Sequence, residues 1–265
     1  MIKNIKIFVN NNSKSNEIFN ELKEKLILAG FTISEDAFDL GIAIGGDGAF
    51  LRMIKSSNFD GNCLYVGINT GTLGFAQEIS ADSIDEFICK LKKQEYKLES
   101  IGVQENKVVT RDNNLECFYS LNEIVIREKD LNTVVLNTYV DNVHLEEFVG
   151  DGLLIATSFG STAYNLSFGG SIVFNDFHTL QITPIAPLNN KAYKSLLNSI
   201  IIPTKKRLKF VPREDKSNLL ITVDGVNKVF DNVVCVETYV DDKRIRCLRS
   251  ADYDFVKKVN DKFLR

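Results

Sequence analysis

The first hundred residues alternate short apolar runs with segments of helical spacing, and this alternation constrains the fold more than any other feature. The apolar runs are residues 5–9 (IKIFV), 40–44 (LGIAI, followed by the turn GGDG) and 62–69 (NCLYVGIN). The helical segments are residues 16–30, which close on Gly30, residues 49–57 and residues 80–100. Runs that are apolar throughout are typical of parallel strands covered by helices. The pattern therefore predicts an α/β domain over residues 1–100, with a parallel sheet and ligands at the carboxyl ends of its strands.

The chain changes character after about residue 100. Its segments become short and rich in Val, Ile, Thr and Tyr, and turn signals such as RDNN and VDGVN separate them. These segments are KVVTR, CFYSLNEIVIRE, TVVLNTYVD, GLLIATSF, LLITVDG, KVFDNVVCVETYV and KRIRCLRS. Such segments predict a mainly antiparallel β domain over residues 101–249. The last residues, about 250–265, return to helical spacing through Phe255, Val259 and Phe263. We expect a C-terminal helix that packs back on the first domain.

Composition argues against several classes of protein. The chain has 265 residues and a formal net charge of −3, so it offers no basic field for extended nucleic-acid binding. No run approaches the roughly 20 apolar residues that cross a bilayer, and the first apolar run is too short for a signal peptide. The five cysteines include no CxxC pair, and the two histidines are not at metal-ligand spacing. We therefore expect a cytoplasmic protein with reduced thiols, no protein-bound metal, and neither a membrane nor a nucleic-acid partner.

The turn after the second apolar run, GGDG at residues 45–48, places the carboxylate of Asp47 between glycines. Glycines let the backbone approach a ligand closely, and the helix that follows presents free N–H groups to an anion. A carboxylate at such a turn can accept a proton from a substrate hydroxyl. The alternative interpretation is a tight strand-to-helix turn in which Asp47 is the N-cap of the helix.

A second glycine-rich turn, GINTGTLGF at residues 67–75, follows the third apolar run. Asn69 and Thr72 offer hydrogen-bonding groups, and Phe75 offers a face to a planar ring. The pattern is typical of a loop around a ligand. It is also compatible with a plain loop that buries one phenylalanine.

Two polar segments of the second domain complete the candidate motifs. Residues 150–170 (GDGLLIATSFGSTAYNLSFGG) combine hydroxyls with glycines, which suits recognition of a sugar or phosphate; the alternative is a close-packed segment of small residues. Asn122 and Glu123 open the apolar segment 121–128 and suit ribose hydroxyls or an adenine amine, although polar residues also open strands for structural reasons. Adjacent strand residues point to opposite faces, so both face one site only if the backbone bends there.

These four motifs, in this order between about residues 40 and 190, resemble those of the NAD kinases, with a fainter match at ITVDG. GGDG alone also occurs in diacylglycerol-kinase-like lipid kinases and in phosphofructokinases. The resemblance implies transfer of the γ-phosphoryl group of ATP to the 2′-hydroxyl of the adenosine ribose of NAD, with Mg²⁺ or another divalent metal on the ATP phosphates. It also implies a homodimer or homotetramer in which a neighbour's β domain completes the site.

The resemblance makes Asp47 the general base and assigns phosphoryl transfer to the first domain and NAD binding to the second. It further implies that Arg52 pairs with a phosphate and that Asp151 reaches the nicotinamide end of the dinucleotide. The positions that match the family's nucleotide contacts are Asp47, Gly48, Arg52, Phe75, Asn122, Glu123, Asp151, Thr162, Ala163, Tyr164, Asn165, Leu166, Ser167 and Ala186.

Departures from the family's usual motifs leave alternatives open. Ala49 replaces the threonine of GGDGT, Val149 stands where a basic residue often precedes the second Gly-Asp-Gly, and Ser158 and Phe159 replace proline and threonine in STPTGSTAY. One alternative is a non-catalytic dinucleotide sensor, and another is a lipid or sphingoid kinase that shares GGDG. The chain lacks GxxxxGK[ST] and a GxGxxG followed by an acid, which argues against a P-loop NTPase and a Rossmann dehydrogenase.

Overall fold

The computed structural model describes residues 2–10, 13–71 and 74–264, so Thr72 lies outside the described residues. The chain divides into two units, one formed by Met1–Ile101 with Arg244–Arg265 and the other by Gly102–Lys243. The helices are α1 (Ser13–Leu28), α2 (Asp47–Ser56), α3 (Ile84–Lys93), α4 (Tyr164–Ser167) and α5 (Phe255–Phe263). The strands are β1 (Asn4–Val9), β2 (Thr32–Ile33), β3 (Leu40–Ile44), β4 (Leu64–Asn69), β5 (Ile79–Ser80), β6 (Tyr96–Thr110), β7 (Leu115–Ser120), β8 (Glu123–Glu128), β9 (Val134–Val140), β10 (Val143–Gly150), β11 (Gly152–Thr157), β12 (Thr179–Ile185), β13 (Ile200–Pro203), β14 (Leu208–Pro212), β15 (Leu219–Val223), β16 (Val226–Phe230) and β17 (Val233–Ser250). In the described part of the chain, no helix has the length and apolar character needed to span a bilayer.

The first unit contains a parallel sheet in the order β2–β1–β3–β4, continued beside β4 by residues 246–247 of β17. Every residue of β3 and β4 is buried, as the continuous apolar runs predict. The helices α1 and α3 contribute Leu22, Leu26, Phe87 and Leu91 to the same apolar cluster as the strands. The sheet therefore forms the centre of this unit, with helices packed on it.

The strand register places the two glycine-rich turns at the same edge of this sheet. In the parallel pair of β3 and β4, Ile44 lies opposite Ile68, so both strands end together. Gly45 follows β3 with a φ of +146°, which L-residues with a side chain rarely adopt, and α2 begins at Asp47. GGDG thus lies at the carboxyl ends of parallel strands, where open α/β sheets bind their ligands.

The second unit is built from antiparallel strands. One sheet has the order β13–β12–β11–β8–β15–β16; separately, β10, β9, β14 and the first part of β17 pair side by side, and β6 pairs with β7. Ile124 and Leu153 of the first sheet share one apolar cluster with Leu136, Phe148 and Phe210. These observations confirm the predicted fold class: parallel α/β at the N-terminus, mainly antiparallel β thereafter, and a C-terminal helix in the same unit as the parallel sheet.

The structure corrects several predicted elements. The helix predicted over residues 80–100 is wrong in its length, because α3 ends at Lys93, Gln94 adopts a φ of +58°, and Tyr96 already belongs to β6. Neither glycine nor proline marks this end, so helical spacing alone supplied no stop signal. The segment KVFDNVVCVETYV is two strands, β16 and β17, with Asn232 between them at a φ of +53°. The strands β10, β12, β13 and β14 have no counterpart among the predicted segments.

Candidate active site

Asp47 joins the two glycine-rich turns of the first unit. It is the first residue of α2, and the N-cap is Gly46, so the N-cap interpretation of Asp47 is wrong. Its Oδ2 accepts a hydrogen bond from the N–H of Phe75 at 3.0 Å, and its Oδ1 accepts one from the N–H of Ala76 at 3.0 Å. A carboxylate oxygen can accept two hydrogen bonds. The side chain is therefore fixed in orientation and still has the capacity to accept a proton.

The start of α2 is suited to an anion. The first N–H groups of a helix have no partner within it, and Gly46 and Gly48 are both exposed. Arg52 lies one turn further on, and its Nη1 would be 3.5 Å from a β-carbon placed on Gly48. Its Nη2 also donates a hydrogen bond to Oδ1 of Asn10. A helix N-terminus with an arginine beside it favours a phosphate group.

The ring of Phe75 packs on the C-terminal helix. Its centroid lies 6.0 Å from that of Phe255 and 5.3 Å from that of Phe263, both in α5. The aromatic partners of Phe75 in this structure thus come from the chain itself. Because the N–H of the same residue bonds Asp47, Phe75 links α5 to the candidate base.

In the second unit, Asp224 organises the turn that carries Asn122 and Glu123. Its Oδ2 accepts a hydrogen bond from the N–H of Leu121 at 2.7 Å, and its Oδ1 accepts one from Asn122 at 2.8 Å and one from Glu123 at 3.2 Å. Successive N–H groups of an extended strand point to opposite sides. Three successive N–H groups can reach the carboxylate of Asp224 only if the backbone bends at residues 121–123. Such a bend is what allows the side chains of both Asn122 and Glu123 to face one site.

Asp224 was not among the predicted site residues, although a sequence signal marks its position. Asp224 and Gly225 form the two-residue turn between β15 and β16, with φ angles of +44° and +79°. Two positive φ angles are typical of the type I′ hairpin turn, which favours Asp-Gly. The segment VDGVN therefore predicted the turn correctly, but the partners of the carboxylate lie 101 to 103 residues away in the chain.

Glu123 is buried and lacks a partner at one oxygen. The residue is 6% exposed, and Oε2 accepts no hydrogen bond from any described residue. Burial, with a smaller contribution from the negative charge of Asp224, raises the pKa of Glu123 to about 8. At neutral pH the group is mainly a carboxylic acid, which can donate a hydrogen bond as well as accept one. A buried polar atom without a partner suits a ligand or a water molecule.

The segment after β11 packs closely against the same turn. The N–H of Thr157 donates to the carbonyl oxygen of Asn122 at 2.9 Å, and its hydroxyl donates to that of Leu121 at 2.6 Å. A β-carbon on Gly160 would lie 2.1 Å from the carbonyl oxygen of Asn122, so this position accepts only glycine. The glycine of the motif at position 160 therefore has a packing reason.

Residues 162–167 differ in what they offer to a ligand. Asn165 is fully buried: its Oδ1 accepts a hydrogen bond from the hydroxyl of Thr183 at 2.6 Å, and its Nδ2 donates to the carbonyl oxygen of Ser161 at 3.2 Å. Its amide therefore holds the segment together. The other five are at least partly exposed: Thr162, Ala163, Tyr164, Leu166 and Ser167.

Asp151 and Ala186 lie at the opposite end of β11 from Glu123. Asp151 directly precedes β11, whereas Ala156, near the end of the strand, pairs with Glu123. Five residues of extended chain correspond to about 17 Å. Ala186 directly follows β12, whose last residue pairs with the first of β11, and both Asp151 and Ala186 are exposed. The predicted dinucleotide contacts of the second unit therefore form two groups in one chain.

The departures from the family motifs fall mostly on buried positions. Ala49 is 6% exposed, Val149 2% and Ser158 8%. The hydroxyl of Ser158 accepts a hydrogen bond from the N–H of Thr179 at 3.1 Å. These side chains pack inside the fold and add no charge at the surface.

Two buried cations of the first unit were also not predicted. Arg249 is 2% exposed and Lys258 8%. Both positions carry a signal in the sequence: Arg249 shares a face of β17 with Ile245 and Cys247, and Lys258 falls three residues after Phe255 on the apolar face of α5. A charged residue in an apolar pattern is a candidate for a buried ion pair.

Within the described residues, no three His, Cys, Asp or Glu side chains are grouped so that they could hold a metal. Mg²⁺ in phosphoryl transfer is commonly held by substrate phosphates, water and one or two carboxylates. Asp47, with a free lone pair on each oxygen beside a helix N-terminus, fits that limited role. The donor set suits a metal that arrives with a nucleotide.

Comparison with known proteins identifies relatives that are named NAD kinases. The model of the ATP-NAD kinase C-terminal domain matches residues 121–237. A Finegoldia magna protein named NAD kinase is 40% identical over 268 residues, covering 98% of this chain and 97% of that protein. A Streptococcus pneumoniae protein of the same name is 32% identical over 264 residues, covering 99% of this chain and 96% of that protein.

Two solved structures share the fold. A yeast NADH kinase complexed with NADH has a TM-score of 0.86 at 20% identity, and the match covers 99% of this chain and 87% of that chain. An NAD kinase from Archaeoglobus fulgidus in complex with ATP has a TM-score of 0.75 at 19% identity, with 98% and 99% covered.

Proposed function

Because the chain belongs to the NAD kinase family, we propose that it transfers the γ-phosphoryl group of ATP to the 2′-hydroxyl of the adenosine ribose of NAD, which yields NADP and ADP. The observation that carries this mechanism is the carboxylate of Asp47, held at the start of α2 by the N–H groups of Phe75, the last residue of the second glycine-rich turn, and of Ala76, which follows it. The relatives favour this activity over a lipid or sphingoid kinase and over a non-catalytic sensor.

Asp47 acts as the general base. A ribose hydroxyl attacks phosphorus well only if its proton leaves as the new bond forms, and a carboxylate in hydrogen-bond reach accounts for about 10²–10⁴-fold in rate. The N–H groups of Phe75 and Ala76 prevent the side chain from rotating away. Their hydrogen bonds leave one lone pair on each oxygen for the hydroxyl proton.

Charge neutralisation and alignment supply most of the remaining acceleration in phosphoryl transfer. The N–H group of Gly48 and the guanidinium of Arg52 bind phosphate oxygens at the start of α2. A Mg²⁺ ion on the ATP phosphates supplies further neutralisation of the transferred group.

The second unit binds the dinucleotide. Asn122 and Glu123 contact the adenosine part, where the protonated carboxyl of Glu123 donates a hydrogen bond from Oε2 or accepts one there. Asp151 and Ala186 bind toward the nicotinamide end. Thr162, Ala163, Tyr164, Leu166 and Ser167 supply further contacts within this unit, and Phe75 is the aromatic nucleotide contact that belongs to the first unit. Asn165 acts by holding this segment in place.

The enzyme works as a homodimer or homotetramer. Asp151 and Glu123 lie at opposite ends of β11, about 17 Å apart along the strand; we propose a shared site that uses Glu123 of one chain and Asp151 of another, as the family resemblance implies. A mixture of Asp47→Asn and Asp151→Asn enzymes, each with lowered activity alone, should gain activity on exchange of subunits. No recovery, or a monomer by light scattering, would contradict the shared site. The free thiols of the cysteines support a cytoplasmic location.

The activity is tested with purified protein, MgATP and NAD, with NADP followed by an NADP-specific dehydrogenase. We expect NADP formation in the wild type and a loss of about 10²–10⁴-fold in kcat for Asp47→Asn. The matched control is Asp36→Asn, an exposed aspartate of the same unit. NAD binding by calorimetry should persist in Asp47→Asn. If the wild type forms no NADP, the proposed activity is contradicted. If Asp47→Asn keeps full turnover, only the role of Asp47 as the general base is contradicted.

A further inference from the structure

Residues near the C-terminus, in β17 and α5, contact the loop of residues 75–78, whose N–H groups orient Asp47. The ammonium of Lys258, in α5, donates a hydrogen bond to the carbonyl oxygen of Gln77 at 2.6 Å. The guanidinium of Arg249 donates to the carbonyl oxygen of Ala76 at 3.5 Å. The N–H of Ala76 is one of the two donors to Asp47. Two buried cations thus bind carbonyl oxygens of this loop, and N–H groups of the same loop orient the carboxylate of Asp47.

The next residue, Glu78, ties the same elements together with its side chain. Its Oε1 accepts a hydrogen bond from the N–H of Ser250 at 3.0 Å, and its Oε2 lies 3.4 Å from both Nζ of Lys258 and Nη1 of Arg249. Arg249 also bonds Oε2 of Glu99 at 2.8 Å through Nε. Residues 75–78 are therefore each held by residues from 249 to 263.

From this geometry we propose that Lys258 is a positioning residue for phosphoryl transfer: it fixes Gln77 and Glu78, and through them the N–H groups that orient Asp47. The inference rests on the proposed role of Asp47 as the base. Lys258 does not touch the reacting atoms, and its effect passes through the backbone of the loop.

A purely structural reason for Lys258 is weak. The position lies on the apolar face of α5, where methionine or leucine would pack without the cost of burying a charge. The ammonium instead has two partners in residues 75–78, the carbonyl oxygen of Gln77 and the carboxylate of Glu78, and experiences the negative charge of Asp47. A buried charge is retained at a cost in stability, which is consistent with a role in function.

Lys258 also makes a specific pH dependence testable. Burial and the positive charge of Arg249 lower the pKa of Lys258 to about 8, against the opposing effect of Glu78 and Asp47. The ring of Tyr253 also faces it, with its centroid 5.3 Å from Nζ. As the pH rises through 8, the ammonium becomes an amine and its ion pair with Glu78 is lost. The inference therefore expects kcat, measured at saturating NAD, to fall above pH 8.

The experiment compares Lys258→Met and Lys258→Arg with Lys257→Met, a neighbouring exposed lysine of the same helix. We expect Lys258→Met to lower kcat at least about tenfold while KM for NAD changes less than about threefold. Lys258→Arg should retain most of the kcat of the wild type. Because arginine stays charged, this variant should also keep its kcat above pH 8. Lys257→Met should match the wild type in kcat and in pH profile.

Several outcomes overturn the inference. They are a wild-type kcat in Lys258→Met, an effect on KM alone, or a decline above pH 8 that persists in Lys258→Arg. If Lys258→Met does not fold, the pH profile of Lys258→Arg decides alone. A wild type without NADP formation would refute the proposed function instead, and this is seen before any variant is compared.

Discussion

Gly74 leaves the space that the carboxylate of Asp47 occupies: a β-carbon on Gly74 would lie 2.0 Å from Oδ1 and 2.6 Å from Cγ of Asp47. The carboxylate ends a short side chain and can rotate away, so Gly74→Ala should fold and yet lose the hydrogen bonds to Phe75 and Ala76. We expect kcat to fall about ten- to a hundredfold because a displaced catalytic group loses its alignment. Steady-state kinetics and a thermal melt measure both effects.

Gly71 provides the matched control in the same loop. Among the described residues, no heavy atom outside the adjoining chain lies within 4 Å of a β-carbon placed there, so Gly71→Ala should keep the kcat of the wild type. A Gly74→Ala enzyme with undiminished kcat would show that the orientation of Asp47 does not matter for turnover.

The raised pKa of Glu123 predicts how stability depends on pH. The pKa is about 8 in the folded chain against a usual value of 4.5. The contribution of Glu123 to the free energy of unfolding is fully present below pH 4.5. It is lost as the pH rises through 8, because the folded state must then bury a charge. The slope is at most about 1.4 kcal/mol per pH unit. Glu123→Gln removes the titration, so its stability relative to the wild type should increase from pH 5 to pH 9.

Urea denaturation at several pH values measures this difference, with Glu17→Gln on the exposed face of α1 as control. A constant difference between Glu123→Gln and the wild type would mean that Glu123 is ionised in the folded protein at neutral pH. Calorimetric titration with NAD should show weaker binding to the wild type above pH 8, because the carboxyl then loses its donor.

Asp224→Asn tests the carboxylate under the Asn122–Glu123 turn. Asparagine tolerates the φ of +44° at this position, so the backbone is not strained. Its amide nitrogen cannot accept the N–H bonds that a carboxylate oxygen accepts, and at least one buried donor is left unpaired. We expect a loss of about 1–3 kcal/mol in the free energy of unfolding. The control is Asp176→Asn, an exposed aspartate of the same unit, and a loss no greater than in this control would contradict the prediction.

Arg249→Met tests the buried ion cluster of the first unit. Arg249 is 2% exposed and forms ion pairs with Glu99 and Glu78, so its removal takes a buried positive charge away from two carboxylates whose side chains are only 15% and 5% exposed. We expect a loss of about 3–5 kcal/mol in the free energy of unfolding. The double variant Arg249→Met/Glu99→Gln should recover part of this loss. Strictly additive effects in a double-mutant cycle would mean that the two side chains are not coupled.

Local patterns predicted the fold class and the first steps toward the site. The runs that became β3 and β4 are apolar throughout because both faces of these strands are buried, and this burial is readable from the sequence. The turns around Asp47 and at Asp224–Gly225 were readable because glycine and aspartate mark unusual backbone angles. The end of α3 at Gln94 was not, since no local signal opposes the helical spacing there.

The sequence by itself determined that a parallel α/β unit precedes antiparallel strands, that GGDG follows a buried strand, and which family the motifs resemble. Only the tertiary structure decided what surrounds Asp47 and Glu123. Asp47 forms hydrogen bonds with residues 28 and 29 positions later in the chain. Asp224 forms one with a residue 103 positions earlier, and Lys258 forms one with a residue 181 positions earlier. Periodicity reports which face of an element is buried, but not which distant element covers it. Orientation of the base and the charge state of the buried acid depend on that packing.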